Sequence, residues 1–330
     1  MKIILIGLGS IGQRHLKNLL HLGFSSISVV SRSGILPDAF SSLQVYTSLQ
    51  QALSEQNFDT AIVCTPTAMH TEAMRQLLLA KIPNIYLEKP VSHSLNGMSE
   101  VLSLAKQYKN NIVVGYDLHF DPGMQQVKKL LEEKVIGKII SVNAQVGQYL
   151  PDWRPHENYR QGMSAKLATG GGVMLDLVHE FDYLLWLFGK VNNIACQYTN
   201  SGALEIETED ASDVLLRFEN GIIGTIHLDY LQPKLVRNCM ITGSNGTIFW
   251  NLATSTVKWI TTDKNEQEYS YHGYERNNRF IEIMTAFLQN KNDTRLTNLE
   301  QAIESLKLVV AAKNSAENLC FVNPDSMNSE

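Results

Sequence analysis

The chain has 330 residues and a formal net charge of −5 at pH 7, with 44% of its residues hydrophobic and 18% charged. This length and composition predict a globular protein with two cores rather than one. The acidic balance argues against the basic surface that is typical of nucleic-acid binding. No apolar run approaches the length of a membrane span. We therefore expect a cytoplasmic protein with neither a nucleic-acid nor a membrane partner.

Four cysteines lie far apart in the sequence: Cys64, Cys196, Cys239 and Cys320. None of them has the paired spacing of metal ligands, and most lie within apolar runs, which fits reduced thiols. The sequence therefore predicts no metal site.

The chain begins with a short β-branched run, Lys2–Ile6, which predicts a buried strand. A G-x-G-x-x-G motif follows and opens a helical pattern that runs from Ile11 to Leu22. The motif contains Gly7, Gly9, Ser10, Ile11 and Gly12. Between a strand and a helix, such glycines allow a tight turn, a close approach to a pyrophosphate and helix–strand packing. The helix N-terminus then offers N–H groups and a partial positive charge to the phosphates. The alternative is a plain glycine turn without a ligand.

The second predicted strand, Ser26–Val30, bears on the choice of cofactor. An NAD site usually has a carboxylate after this strand for the ribose 2′-hydroxyl, but this chain continues with Ser31, Arg32 and Ser33. A serine and an arginine suit a 2′-phosphate, so the sequence favours NADP over NAD. The alternative is that Arg32 is a solvated turn residue.

Strands and helices then alternate up to about residue 116. The predicted strands are 60–64, 84–87 and 112–115, and the predicted helices are 69–80 and 95–108. This alternation is typical of a doubly wound parallel sheet, in which ligands bind at the carboxyl ends of strands. The cofactor-binding candidates at those ends are Thr65, Pro66, His70, Glu88 and Lys89. From position alone, Lys89 would be a solvated turn residue.

The pattern changes in the second half of the chain, where strands follow one another without helices between them. The predicted elements are helix 124–133, strand 138–146, a helix within 170–189, strands 194–199, 211–218, 222–231, 237–242 and 247–251, and helices 278–288 and 298–316. Asn245-Gly246 marks a hairpin. We therefore predict an α/β protein with a Rossmann domain, residues 1–119, and an α+β domain, residues 120–330, built on an open, mainly antiparallel sheet. The polar tail after Phe321, from Asn323 to Glu330, is expected to fray.

A glycine-led apolar stretch, Gly170–Gly189, predicts one largely buried helix. Asp176 and His179 are three residues apart, so the two side chains would project from nearly the same helical face. One interpretation is that Asp176 hydrogen-bonds His179 or a backbone amide and merely satisfies the core. The other is that the helix presents an acid/base pair to a substrate.

Taken together, these motifs resemble the Gfo/Idh/MocA family, named after glucose–fructose oxidoreductase, inositol dehydrogenase and a rhizopine-catabolism protein. The resemblance rests on the glycine turn, Thr65-Pro66-Thr67 with His70, Glu88-Lys89-Pro90, and the glycine–Asp–His stretch, which occur in that order and span essentially the whole chain. It implies an NAD(P)-dependent oxidoreductase acting on a sugar, sugar acid, cyclitol or nucleotide sugar. It also implies that the open sheet supplies substrate and oligomer contacts, with a homodimer or homotetramer expected.

The resemblance assigns roles to individual residues. Lys89 matches the catalytic lysine, and Pro90 a proline that is often cis; His179 matches the catalytic histidine, and Asp176 the carboxylate near it. Two departures are visible: Asp176 lies three rather than four residues before His179, and His119 stands where the family has an arginine. We therefore expect His179 and Lys89 to be the acid/base residues, with Asp176 orienting or tuning them.

The loop from Leu150 to Arg160 resembles the subgroup that acts on sugars or nucleotide sugars in bacterial surface-polysaccharide pathways. Trp153, Arg154 and Tyr159 are the candidate substrate contacts, since aromatic rings stack on sugars and arginine holds phosphate or carboxylate. The alternative is a surface loop in which Trp153 packs on its own domain. Two other functions stay open on this fold: a dinucleotide-sensing regulator and a glycosidase that regenerates its bound cofactor.

Overall fold

The computed structural model describes residues 1–327, which divide into two compact units. The N-terminal unit comprises Met1–Asp117 and Asn277–Ile303, and the C-terminal unit comprises Leu118–Arg276 and the described residues from Glu304 onward. The second domain was predicted to run without interruption from residue 120 to 330, whereas residues 277–303 belong to the N-terminal unit. This segment adds an edge strand to the first sheet and packs aromatic side chains of a helix against that unit.

The N-terminal unit begins with six parallel strands and the helices that connect them. The strands are β1 Ile3–Ile6, β2 Ile27–Val30, β3 Gln44–Tyr46, β4 Thr60–Val63, β5 Asn84–Leu87 and β6 Asn111–Val114; the helices are α1 Ser10–His21, α2 Leu49–Glu55, α3 His70–Leu79 and α4 Met98–Tyr108. The strand order is β6-β5-β4-β1-β2-β3. All residues of β1 and β4 are buried, as a parallel sheet covered on both faces requires. The predicted Rossmann architecture is confirmed.

The C-terminal unit contains a long sheet, three helices that precede residue 190, and most of the last helix of the chain. The strands are β7 Ile139–Gly147, β8 Val191–Thr199, β9 Ala211–Phe218, β10 Ile223–Asp229, β11 Val236–Gly243, β12 Gly246–Asn251, β13 Thr256–Thr261 and β14 Glu266–Ser270; the helices are α5 Pro122–Glu132, α6 Val173–Asp176 and α7 His179–Phe188. The strand order is β14-β13-β12-β11-β7-β10-β9-β8, and within it only β7 and β10 pair in parallel. The predicted mainly antiparallel sheet is confirmed.

One face of this sheet is buried under α7. Tyr183 of α7 meets Trp250 of β12 edge to face, with ring centroids 5.8 Å apart. On β9 the side chains alternate, so that Val214 and Leu216 are buried whereas Leu215 is exposed. The glycine-led stretch therefore packs against one face of this sheet.

The last part of the chain contributes to both units. It forms α8 Arg276–Gln289, β15 Thr297–Asn298 and α9 Leu299–Asn318. β15 pairs antiparallel with β6 at the edge of the first sheet, and Phe287 of α8 packs against Tyr86 at a centroid distance of 5.7 Å. Val322 pairs with Ile194 of β8, and Pro324–Ser326 form a 3-10 turn. The predicted frayed tail is therefore ordered from residue 323 to 326, and residues 328–330 of that tail lie outside the described part of the chain.

Five of the labelled elements were absent from the sequence prediction: α2, β3, β13, β14 and β15. A signal existed for α2, because Ser48 accepts a hydrogen bond from the backbone N–H of Gln51, as an N-cap serine does. β3 is a three-residue edge strand, too short for a hydrophobic period to be visible. Within residues 1–327, no helix is both long and apolar enough to cross a membrane.

His227, on the open face of the second sheet, lies between two carboxylates. Its Nδ1 is 2.8 Å from Oδ1 of Asp213 on β9, and its Nε2 is 3.2 Å from Oδ2 of Asp229 on its own strand β10. The hydrogen bond to Asp229, supported by Asp213, raises the pKa of His227 to about 9 against burial. His227 is therefore positively charged at neutral pH and joins β9 to β10.

This charge makes a pH-dependent contribution to stability. Because the pKa of His227 rises from 6.5 to about 9 on folding, its contribution is complete below pH 6.5 and disappears as the pH rises through 9. The His227→Gln variant should therefore lose about 1 kcal/mol of unfolding free energy at pH 6, after screening, and little at pH 10. Urea unfolding of both proteins at pH 6, 8 and 10 measures this. Thr225→Ser, a change on the same face without a titrating group, is the control. A loss in His227→Gln that is equal at all three pH values would contradict the argument.

Candidate functional site

In the glycine turn after β1, packing within the protein requires glycine at positions 7 and 12 but not at position 9. Gly7 has φ +92°, and a Cβ there would lie 2.7 Å from the carbonyl oxygen of Cys64. A Cβ at Gly12 would overlap the carbonyl oxygen of Gly7. By contrast, a Cβ at Gly9 would meet no described atom within 4 Å. The open space over Gly9 is where a pyrophosphate would approach the backbone.

The start of α1 is suited to an anion. Ser10 and Ile11 open the helix, Gly9 at the N-cap provides no side-chain acceptor, and no acidic residue lies in the first turn of this described helix. The first N–H groups therefore keep their hydrogen-bonding capacity and the positive end of the helix dipole for a phosphate. The residues present fit a dinucleotide at this turn.

The other predicted cofactor residues follow the carboxyl ends of β2, β4 and β5. Strands β2 and β4 flank β1, and β5 lies beyond β4, so these strand ends lie along one edge of the sheet. After β2, Ser31 Oγ lies 3.1 Å from Ser33 Oγ, and Arg32 places Nη2 3.2 Å from the sulfur of Met69. A thioether is a weak acceptor, so the exposed guanidinium of Arg32 retains most of its capacity to bind a phosphate.

The turn after β4 is held by a buried histidine. The ring nitrogens of His70 lie 2.9 Å from the carbonyl oxygens of Thr65 and Pro90. Pro66 precedes a 3-10 turn that leads into α3. Burial lowers the pKa of His70 below its ordinary value. As a neutral imidazole, His70 donates a hydrogen bond to one of these two carbonyl oxygens and packs against the other, so it lies between the turns after β4 and β5.

The turn after β5 contains the predicted catalytic lysine. Lys89 is half-buried, and its peptide bond to Pro90 is cis. The carboxylate of Glu88 points into the N-terminal unit, with Oε1 2.6 Å from Nε2 of His15 and 3.5 Å from the hydroxyl of Tyr86. The side chain of Glu88, predicted to bind the cofactor, is thus engaged inside the protein. Sequence reasoning missed His15, which lies 73 positions away from its partner.

In the C-terminal unit, the prediction of one continuous helix bearing Asp176 and His179 is wrong. Asp176 ends α6 and His179 begins α7, with Leu177 at φ −102° and ψ 31° between them. The helical hydrogen bonds are interrupted here, since the N–H of Glu180 is 3.4 Å from the carbonyl of Leu177, three residues back. Asp176 and His179 therefore belong to two helices and do not share one helical face.

Three polar contacts anchor the chain around His179. The hydroxyl of Tyr230 donates to Asp176 Oδ2 at 2.7 Å. Arg237 donates to both oxygens of Glu180, at 2.9 and 3.0 Å. These two contacts join Asp176 to the chain just after β10 and Glu180 to β11, so the residues on either side of His179 are tied to the sheet region of the unit.

The third anchor involves His119. Its Nε2 lies 2.8 Å from Oδ2 of Asp182, and its ring stacks on Trp186 at a centroid distance of 4.2 Å. His119, Asp182 and the carboxylate of Glu180 are almost completely buried. His119 therefore packs against α7 from inside the unit, where the family resemblance led us to expect an arginine.

Tyr230 is a residue that the sequence did not single out. It is fully buried, and its ring meets Trp153 edge to face at 5.4 Å. Burial, and then the nearby Asp176, raise the pKa of Tyr230 well above its ordinary value. The phenol therefore remains a proton donor to Asp176 at any physiological pH and connects it to the candidate substrate loop.

The candidate substrate loop is a series of short 3-10 turns. Trp153 donates its indole N–H to the carbonyl of Gln148 at 3.2 Å, and the Tyr159 hydroxyl donates to the carbonyl of Leu204 at 3.2 Å. Arg154 is exposed and lies 3.9 Å from Glu157. Of the three predicted contacts, Trp153 alone is connected to Asp176, through Tyr230, and Arg154 has the most accessible polar group.

Known proteins resemble this chain in both halves. Residues 1–116 match the oxidoreductase family with an NAD-binding Rossmann fold, and residues 124–249 match the GFO/IDH/MocA C-terminal domain. The myo-inositol 2-dehydrogenase of Thermotoga maritima is 25% identical, over 96% of each chain. The uncharacterized oxidoreductase YrbE of Bacillus subtilis is 28% identical over 67% of this chain and 65% of its own.

A solved structure shares the whole fold. The WlbA dehydrogenase of Bordetella pertussis, in complex with NADH and UDP-GlcNAcA, superposes with a TM-score of 0.81 at 20% identity, over 98% of both chains. At this identity the likeness concerns the fold. The two matched domains, taken with the glycine turn and the sheet topology, lead to one conclusion: the chain belongs to the Gfo/Idh/MocA family of NAD-binding oxidoreductases.

Proposed function

We propose that this protein is an NAD(P)-dependent oxidoreductase that transfers a hydride between nicotinamide and a hydroxyl-bearing or keto carbon of a sugar, sugar acid, cyclitol or nucleotide sugar. The observation that carries the proposal is the glycine turn, in which Gly7 and Gly12 are closely packed whereas Gly9 faces open space. This arrangement, together with an uncapped helix N-terminus, supports dinucleotide binding.

The acid/base chemistry is assigned to Lys89 and His179. Oxidation of a secondary alcohol removes a hydride from carbon and a proton from oxygen, and bound nicotinamide supplies the hydride acceptor. His179 would take the proton, and the ammonium of Lys89 would stabilise the developing alkoxide. Asp176, held by Tyr230, would orient the substrate or the pair. In the reducing direction, the same groups return the proton to the carbonyl oxygen.

The proposed substrate class is inferred from relatives of this chain and from the candidate substrate loop, Leu150 to Arg160. One relative is named a myo-inositol 2-dehydrogenase, and one similar structure contains UDP-GlcNAcA. Trp153, Arg154 and Tyr159 offer aromatic surface and a cation, which suit a sugar carrying a phosphate or carboxylate. A nucleotide sugar in a cytoplasmic polysaccharide pathway is the most specific form of this proposal.

A homodimer or homotetramer through the open face of the second sheet is part of the same proposal. That face exposes Leu215, Ile223, Met240 and Phe249, whose relative exposures are between 36% and 44%. Apolar side chains from neighbouring strands on one face favour burial against another chain.

Dinucleotide binding can be separated from folding at the glycine turn. Gly9 has φ −68°, which alanine adopts freely, so Gly9→Ala should keep its unfolding midpoint and bind NADH or NADPH about tenfold or more weakly. Gly12→Ala should instead lower the midpoint, because its Cβ overlaps the Gly7 carbonyl. Thermal unfolding and quenching of protein fluorescence by the cofactor measure the two effects. Unchanged affinity in Gly9→Ala would remove the turn from the binding site.

Cofactor choice tests the role of Arg32. If a 2′-phosphate is bound there, the wild type should bind NADPH more tightly than NADH, and Arg32→Ala should lower NADPH affinity about tenfold with little effect on NADH. Titration of both proteins with both nucleotides measures the four dissociation constants. Tighter binding of NADH by the wild type would overturn the preference for NADP.

Turnover tests the acid/base assignment. A panel of sugars, cyclitols and nucleotide sugars is assayed by nicotinamide absorbance with wild type, Lys89→Ala and His179→Ala. Each substitution should lower kcat by about a hundredfold or more, the usual contribution of a positioned acid or base. Lys81→Ala, at an exposed position before β5, is the control and should keep wild-type turnover. Tight cofactor binding without turnover on any substrate would favour a sensor or a cofactor-regenerating glycosidase instead.

A further inference from the structure

The backbone of Lys89 is fixed on both sides by buried histidines. On one side, His15 of α1 binds the Glu88 carboxylate at 2.6 Å. On the other, Nδ1 of His70 of α3 lies 2.9 Å from the carbonyl oxygen of Pro90. The two neighbours of the candidate catalytic lysine are therefore tied to two different helices of the N-terminal unit.

The contact between His15 and Glu88 lies in a tightly built pocket. His15 is fully buried and Glu88 is 7% exposed. At Gly115, which follows β6, a Cβ would lie 2.5 Å from the hydroxyl of Tyr86 and 3.1 Å from Oε1 of Glu88. The His15 ring is packed edge to face against Tyr86 at 5.1 Å. A carboxylate placed so deeply is costly unless a partner satisfies it, so the hydrogen bond from His15 is needed for this side-chain orientation.

His15 and Glu88 belong to two elements with different proposed functions. His15 lies on α1, one and a half turns after Ser10, and the start of this helix is the proposed pyrophosphate site. Glu88 directly follows β5 and precedes Lys89. One short hydrogen bond thus joins the cofactor helix to the turn that carries the lysine, so a shift of either element is transmitted to the other.

We propose that Glu88 is a positioning residue for Lys89, held by His15, and that its carboxylate does not bind the cofactor. The inference rests on the proposed oxidoreductase function, in which Lys89 acts on the substrate oxygen. His15 is then a second positioning residue: it fixes the lysine turn relative to the helix that takes the dinucleotide phosphates.

The test uses His15→Leu, Glu88→Leu, the double variant and Glu88→Gln. Removing one partner leaves the other buried and unsatisfied, so each single Leu variant should unfold at a lower temperature. Replacing both with apolar side chains removes that penalty, so the double variant should recover much of the unfolding midpoint. A purely structural pair would recover activity along with stability. A positioning pair would not, because the link to the lysine turn is still missing.

Three readouts on the whole 330-residue chain distinguish these cases. In the double variant, kcat should remain about tenfold or more below wild type, since a misplaced catalytic group is slow, while the dissociation constant for NADH stays near the wild-type value. The rate of Lys89 acylation by acetic anhydride, measured by peptide mass spectrometry with exposed Lys81 as internal reference, should differ from wild type. Glu88→Gln keeps the shape of the side chain and an acceptor for His15. It should therefore stay closer than Glu88→Leu to the wild-type kcat and to the wild-type rate of Lys89 acylation.

Two results would overturn the proposal. Wild-type kcat and Lys89 acylation in a stable double variant would reduce the pair to a structural contact. NADH affinity that falls in both Glu88 variants but not in His15→Leu would make Glu88 a cofactor ligand. If the wild type turns over no substrate, the proposed function fails by itself, and the acylation rate still decides whether His15 and Glu88 position Lys89.

Discussion

The close approach of α1 to β1 is the constraint on which the N-terminal unit depends. The carbonyl of Gly7 occupies the space that a side chain at position 12 would need, so helix and strand meet with only backbone between them. The uncapped start of α1 lies next to Gly9, over which the space is open. The close approach also brings His15, one turn further on, to the Glu88 carboxylate. The same packing therefore shapes the anion site and determines where the lysine turn lies.

In the C-terminal unit, the corresponding role belongs to buried polar contacts. The α6–α7 segment is largely apolar, yet three of its carboxylates have polar partners. Asp176 and Glu180 accept directional hydrogen bonds from Tyr230 and Arg237. Asp182 lies 2.8 Å from Nε2 of His119. Buried ion pairs add little net stability, but breaking one by removing a single partner is costly, so they select one arrangement over others. Such contacts specify the placement of His179 more narrowly than apolar packing can.

Much of the fold could be predicted because it depends on local patterns. The strand–glycine–helix start, the βα alternation and the consecutive strands after residue 190 each have a period or a turn residue that acts over a few positions. Where no such signal exists, the prediction failed. Strand β3 is too short to show a hydrophobic period. Residues 277–303 join the first unit through contacts between distant positions, such as that of Phe287 with Tyr86. The break between α6 and α7 falls in a run of apolar residues whose pattern fits one helix.

In the candidate site, too, residues in local motifs could be predicted, whereas residues that act through distant partners could not. Gly9, Lys89 and His179 could be named because each belongs to a short motif, whereas His15 and Tyr230 could not, since their roles arise only from distant partners. The inward orientation of the Glu88 carboxylate could not be predicted for the same reason. The place of Glu88 at a strand end indicates a ligand-binding residue, and nothing in the sequence shows that its carboxylate turns inward to a histidine 73 positions earlier. A motif therefore identifies which turn matters, but the contacts of each side chain decide whether it touches the ligand or holds the residue that does.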